Sequence, residues 1–361
     1  MIFASETAPR FNRYLNTSGG QNLRFLTLAA MIGAFIPLNA QEQAKSRTDP
    51  PLILTGTISM PNVEGRIDHF AIDPGGRLFV CVVGNDTVEV LKTLTDKRIH
   101  TMAAVPHPQG AVYAPKLKKL FVGSRDGKLY VYDGTSFDLI TFNSFDGDVD
   151  NLRYDEAGKR VYVAHGDGET AGIAVIDAKT NQRLSEDFKL GAHPESFQME
   201  KSGPAIFVNL PDLHEIAVLN RSTRGITKWP LTHIEENFPM ALDEAGHQLF
   251  VGSRTPPRLI VFDTESGHLI TAIRTAADSD DFYYDYAYKR VYVPGGQGFV
   301  SVFQQSDPDH YQLIRKVPSA LGARTAGYAA KTGQKGRDRF YLAVPGRQGH
   351  SAEVWIFQAQ E

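Results

Sequence analysis

An aromatic residue followed by Val or Leu recurs in the middle of a strand-like run at Phe79, Phe121, Tyr162, Phe207, Phe250, Tyr292 and Tyr341, at spacings of 42, 41, 45, 43, 42 and 49 residues. A period in the forties, built of three or four short strands and no helix, is the pattern of a β-propeller and not of a helical solenoid. The cleanest copy is Phe238 to Asp263. It reads FPMALD, a turn at Glu244 to Gly246, QLFVGS, a break at Thr255-Pro256-Pro257, then RLIVFD: an antiparallel meander. Seven anchors predict an all-β, seven-bladed β-propeller of four-stranded antiparallel blades.

The two ends of the chain predict how the ring closes. Leu52 to Met60 alternates as a strand and stops at Pro61, like the outer strands that end at Val105-Pro106, Trp229-Pro230 and Val317-Pro318. It has no blade of its own. The last unit has strands near Thr325 to Ala330, Arg339 to Val344 and Glu353 to Phe357 and then no fourth. Pairing the N-terminal strand with the C-terminal blade completes both and removes an open sheet edge. The third strands (LYVYD, IAVID, IAVLN, LIVFD) mostly end in Asp or Asn, which is expected to cap the turn that follows and carries no function.

Ahead of the propeller, assigned to 52–361, Arg24 precedes the apolar run Phe25 to Pro37, then Leu38-Asn39-Ala40 and polar Gln41-Glu42-Gln43. This predicts a secretory signal over 1–40, cleaved after Ala40, with 41–51 as a linker and a periplasmic or secreted mature protein. Met1 to Leu23 is long for such a leader, so an internal start or a retained anchor is the alternative. The run is short for a bilayer span, and no membrane span is expected in the mature protein. The net charge is −3, and residues 1–40 hold three Arg and one Glu, so the remainder carries −5. Nothing in that balance calls for nucleic acid. The single cysteine, Cys81, excludes an intramolecular disulfide and reads as a small buried apolar residue. A monomer held by packing and ring closure is expected.

Strings such as RVYVAHGDGETAGIAVIDAKTNQRL and LFVGSRTPPRLIVFDTESGHLI resemble the YVTN-type repeats of YncE-like β-propellers across roughly residues 52 to 357. Tyr-Val-Thr-Asn itself is absent, and among the seven anchors only Tyr162-Val163 and Tyr292-Val293 keep its first half. The resemblance implies the propeller and, for function, an exported protein of a kind some of whose members bind nucleic acid or partners. Relatives with similar blades include lactonases and subunits of quinoprotein dehydrogenases.

No P-loop, G-x-S-x-G elbow, H-E-x-x-H or C-x-x-C occurs, and His214-Glu215 lacks a second His. Chemistry is therefore sought at the axis. Aligning the inner strands gives a ring of Asp68, Gln109, Asp150, Glu195, Phe238, Asp280 and Arg324. Two residues earlier on the same strand face lie Arg66, His107, Asp148, His193, Glu236, Asp278 and Gly322. The far ends of the second strands are expected to bring Arg125, His165 and Arg254 to the rim. This polar funnel is the candidate ligand site, at Asp68, Gln109, Arg125, Asp150, Glu195, Arg254, Asp280 and Arg324. A wet channel mouth lined by solvated side chains is the plain alternative. Ring order places Arg324 between Asp280 and Asp68, where it could hold both. Across the ring, His107, Asp150, His193 and Glu195 form a candidate divalent-metal site, of zinc type because ligands are mixed His and carboxylate. That His107 and His193 each precede a proline in a repeated loop explains the spacing nearly as well. The leading function is a non-enzymatic binding or scaffold protein taking a small polar ligand or a protein partner. A lactonase-type hydrolase using funnel carboxylates and His, with or without metal, is the alternative, as is an accessory subunit of a periplasmic redox complex.

Overall fold

The computed structural model describes residues 49–330, 338–347 and 349–361. The signal over 1–40 and all but the last residues of the 41–51 linker lie outside the described residues. Thr48–Glu361 forms one unit of seven antiparallel sheets. Blade one runs Ile67–Ile72, Arg77–Val82, Thr87–Lys92 and Lys97–Met102, from the axis outward. The inner strands of blades two to seven begin at Pro108, Val149, Phe197, Glu235, Tyr283 and Ala326. Blade seven consists of Ala326–Ala329, Arg339–Val344 and Ala352–Ala359, with Leu52–Met60 as its outermost strand. The register runs from Leu52 opposite Ala359 to Met60 opposite Ala352, so the closure read from the two chain ends is the one observed.

The recurring aromatic is the residue that makes a ring of blades. Each of the seven anchors is buried and packs on the following blade. Phe79 stacks on Tyr113 of blade two with centroids 5.6 Å apart. Phe250 stacks on Tyr284 of blade six at 5.0 Å, and Tyr292 meets Phe340 of blade seven at 5.7 Å. Tyr341 turns back to blade one, among Leu78, Val80 and Val82. Seven apolar clusters fill the seven interfaces between neighbouring blades. A sheet that is covered on both faces needs apolar residues on both, which is why the second and third strands are nearly continuous apolar runs.

The turn caps behave as expected: Asp133 accepts from the backbone of Thr135 and Ser136, Asp177 from Lys179 and Thr180, and Asn220 from Ser222 and Thr223. Two outer strands differ from the reading above. In blade three the fourth strand is split into Gln182–Arg183 and Phe188–Lys189, both paired with Gly172–Asp177. The intervening loop is held by Glu186 on Arg160 (2.8 Å) and Asp187 on Arg183. In blade six the outer strand runs through Pro318 to Leu321. As an edge strand it can carry a proline without losing a ladder bond.

At the axis the inner strands do not alternate cleanly. The register slips between Ile67 and Phe70, Pro108 and Gly110, Val149 and Leu152, and Asn237 and Met240. A bulge places two residues opposite one and re-aims a side chain. Gly110 shows how close the strands come here. A Cβ at this position would sit 2.0 Å from the Asp150 carbonyl oxygen, so only glycine fits.

Candidate functional site

The seven aligned ring positions, Asp68, Gln109, Asp150, Glu195, Phe238, Asp280 and Arg324, line one cavity of about 150 Å³, with Arg125 and Arg254 at its wall. Of the residues two positions earlier, Arg66, Asp148 and His193 join them. Asp278 and Gly322 line an adjoining cavity. His107 does not belong: its side chain is 56% exposed, with Nδ1 3.6 Å from Asp86. Its backbone N–H donates to the same carboxylate at 2.8 Å, which ties the loop outward. His165 is not on the rim either. It is 4% exposed, with its ring 4.7 Å from Phe145, and burial together with Arg183 pulls its pKa down to about 4. It is a neutral core histidine.

The guanidiniums are committed to carboxylates. Arg324 donates from Nη1 to Asp278 and forms an ion pair through Nε with Asp280, each at 2.7 Å. Arg254 also binds Asp280 and lies over the Phe238 ring, 4.1 Å from its centroid. The one apolar member of the ring is thus the plate beneath a cation. The expected bridge from Arg324 to Asp68 is not made. Asp68 is taken by Arg66 at 2.8 Å, and Arg324 spends both forks within blade six. On the next arc Gln109 donates to Asp148 at 2.8 Å and accepts from Arg125 Nε at 3.0 Å. Arg125 is 3.8 Å from Asp148, so that acid has a basic neighbour which the inner-strand alignment did not supply.

Below this ring sits His69, which alternation would have turned away from the axis. Its Nδ1 meets Asp281 at 3.0 Å, and its Nε2 lies 3.9 Å from Asp150 and 4.0 Å from Asp68. Burial opposes charge on this imidazole, but Asp281, Asp68 and Asp150 outweigh it and hold its pKa well above the ordinary histidine value. The bulges bring His69 and Asn151 to the cavity. The signal in the sequence was pairs of polar neighbours on inner strands, Asp68-His69 and Asp150-Asn151, where an alternating strand has one polar side.

The remaining arc is acidic and underpaired. Burial raises the pKa of Asp150, against His69. Burial and then Asp150 push Glu195 up to about 8. Asp150 Oδ1 and Asp68 Oδ1 are buried with no hydrogen-bond partner. One ligand atom each from Asp150, His193 and Glu195 lies within 4.8 Å of the others. His193 Nδ1 faces the Gly166 carbonyl oxygen at 2.8 Å. A neutral ring that donates there carries its lone pair on Nε2, the orientation that metal-bound histidines adopt. Carboxylates packed in this way share a proton, stay hydrated, or hold a cation beyond the one that His69 supplies.

No family model matches the sequence, and no curated protein matches it significantly. Solved structures do. The chain is similar to the WD40 repeats of RRP9, with TM-score 0.68, 10% identity, and 86% of this chain and 98% of that one covered. It is also similar to a chain in the crystal structure of the mitotic checkpoint complex, with TM-score 0.71, 10% identity, and 94% and 100% covered. The seven-bladed propeller is therefore the fold of this chain, and at 10% identity the likeness speaks to fold alone. The YVTN-type resemblance rests on the repeat strings quoted above. Among the described residues no helix is long and apolar enough to cross a membrane.

Proposed function

We propose that the protein is an exported binding protein whose funnel takes a divalent transition-metal ion at Asp150, His193 and Glu195, with a small polar ligand completing the coordination. The observation that carries this reading is the convergence of those three ligand atoms within 4.8 Å, one of the residues holding a buried carboxylate oxygen without a partner. Mixed imidazole and carboxylate donors favour zinc over calcium. Three protein ligands leave a fourth position open for water or a ligand oxygen. A cavity of about 150 Å³ has room for an ion and a few more atoms, not for a large organic substrate. His107, placed in this set from sequence, is left out of the proposal because it faces Asp86.

The test is zinc titration of the purified protein beside a His193→Ala, Glu195→Ala variant, with melting curves confirming that both are folded. One equivalent bound by the first, and binding weaker by at least roughly a hundredfold in the second, is the expected result. Equal sub-stoichiometric zinc in both sinks the metal. The lactonase reading shares the open position, since a zinc-bound water there could be the nucleophile. Turnover of a simple lactone by the zinc-loaded protein, lost in the same variant, would replace binding by hydrolysis. For export, the expectation is a species beginning at Gln41 in the periplasmic or culture fraction of the native host. Full-length protein confined to the cytosol would contradict it.

A further inference from the structure

A further cavity adjoins the funnel. His69 and Asn151 form a wall common to both. Beyond that wall the channel widens to about 480 Å³, within the range of pockets that hold small organic molecules. Its lining changes character: Phe70, Tyr113, Phe282, Tyr283 and Tyr328 replace the ring of carboxylates, and Arg153 joins them beside His69 and Lys201.

Arg153 differs from every arginine of the funnel. Arg66, Arg125, Arg254 and Arg324 each have a carboxylate within 4 Å, whereas among the described residues Arg153 has none. Its guanidinium donates to the Leu152 carbonyl at 2.8 Å and reaches Ser196 Oγ at 3.4 Å and Asn151 Oδ1 at 3.5 Å, all neutral acceptors. Its Cζ lies over Phe197, 5.1 Å from the centroid. The nearest acid along the wall, Asp281, is already occupied by His69 Nδ1 at 3.0 Å and by the Ala326 N–H at 2.8 Å. A half-buried guanidinium over an aromatic ring, with no carboxylate within 4 Å among the described residues, in a cavity that admits an organic molecule, is arranged to receive an anion.

We propose that this second cavity binds a small aromatic monocarboxylate, its carboxylate on Arg153 and its ring among the surrounding tyrosine and phenylalanine side chains. A carboxylate matches the planar fork of Arg153 in a way that a spherical anion does not. A single negative charge is favoured because Asp281, in the same lining, repels a second. An aromatic body suits the walls, where offset and edge-on ring contacts add to the area buried.

Isothermal titration of the full protein with benzoate, benzamide and acetate tests this directly. Benzoate is expected to bind, with benzamide and acetate each at least about tenfold weaker, a difference of about 1.4 kcal/mol. Arg153→Met should lose benzoate by a similar factor while keeping its zinc stoichiometry and melting temperature. His193→Ala, which alters only the funnel, should leave benzoate affinity unchanged. Equal binding of benzoate and benzamide, or no heat from benzoate at about 10 mM, overturns the proposal. So does unchanged affinity in a folded Arg153→Met. Should that variant fail to fold, the three-ligand comparison on the wild-type protein decides alone, because it separates charge and ring without any substitution.

Discussion

Deletion of Leu52–Met60 is expected to abolish the cooperative fold at ordinary temperature. That strand is the outer edge of blade seven, paired along its length with Ala352–Ala359. It buries Leu52, Ile58 and Met60 to 2%, 0% and 0% exposure. At about 1.5–3 kcal/mol for each large apolar side chain, the three supply roughly 5–9 kcal/mol. The whole net stability of a domain is about 5–15 kcal/mol. Removal also strips Ala352–Ala359 of its partner and leaves a long apolar edge, which invites association between chains. A milder probe is Ile58→Ala. It should cost about 2–5 kcal/mol and lower the melting temperature by roughly 5–15 °C. A truncated protein that melts within a few degrees of the intact one would show that the ring holds without this closure.

What the sequence made legible was whatever depends on period. The aromatic anchors repeat because each must fill the same gap between blades, so their spacing carried the blade count. Both ends of the chain were readable for the same reason: each lacked something the repeat required. The ring position itself was also legible, since all seven aligned residues line the cavity. Failures lie where the period is broken. The bulges around Asp68-His69 and Asp150-Asn151 turn two consecutive side chains to the axis, and strict alternation had discarded His69 and Asn151. His107 was misplaced because its loop is drawn out by Asp86, a residue of the preceding blade that no inner-strand alignment contains. His165 was misplaced because the end of a second strand can face either the rim or the interface with the preceding blade, and Phe145 supplies the apolar face that takes it. The aromatic cavity went unread because its lining comes from the distal halves of the inner strands, where Tyr and Phe look like ordinary strand residues.

Substituting both Arg254 and Arg324 with Met should destabilise the protein by more than the sum of the two single substitutions. Asp280 is 8% exposed and touches both guanidiniums. Either one alone still leaves it a charged partner, so each single variant is expected to be tolerated. Losing both leaves a buried carboxylate with no counter-charge, a change of about 3–5 kcal/mol. Sites that share a partner are expected to be non-additive in this way. Asp278, 43% exposed, can return to water and does not contribute. The sign of the pH dependence identifies the mechanism. Burial already raises the Asp280 pKa, with Arg324 and Arg254 pulling it back down. A carboxyl whose folded pKa lies above its unfolded value binds more protons when folded, so stability is lost as pH rises from the unfolded value, about 4, through the folded one. Taking away both cations moves the upper end of that window higher. The double variant should therefore lose more stability between about pH 5 and pH 7 than the wild-type protein, on top of the fall that Glu195, raised to about 8, gives all four proteins. Denaturant unfolding of the four proteins at both pH values reads this out. Additive losses with no pH dependence beyond that of the wild-type protein would mean that Asp280 keeps its charge by drawing in water, and that the two arginines contribute packing against Phe238 rather than charge.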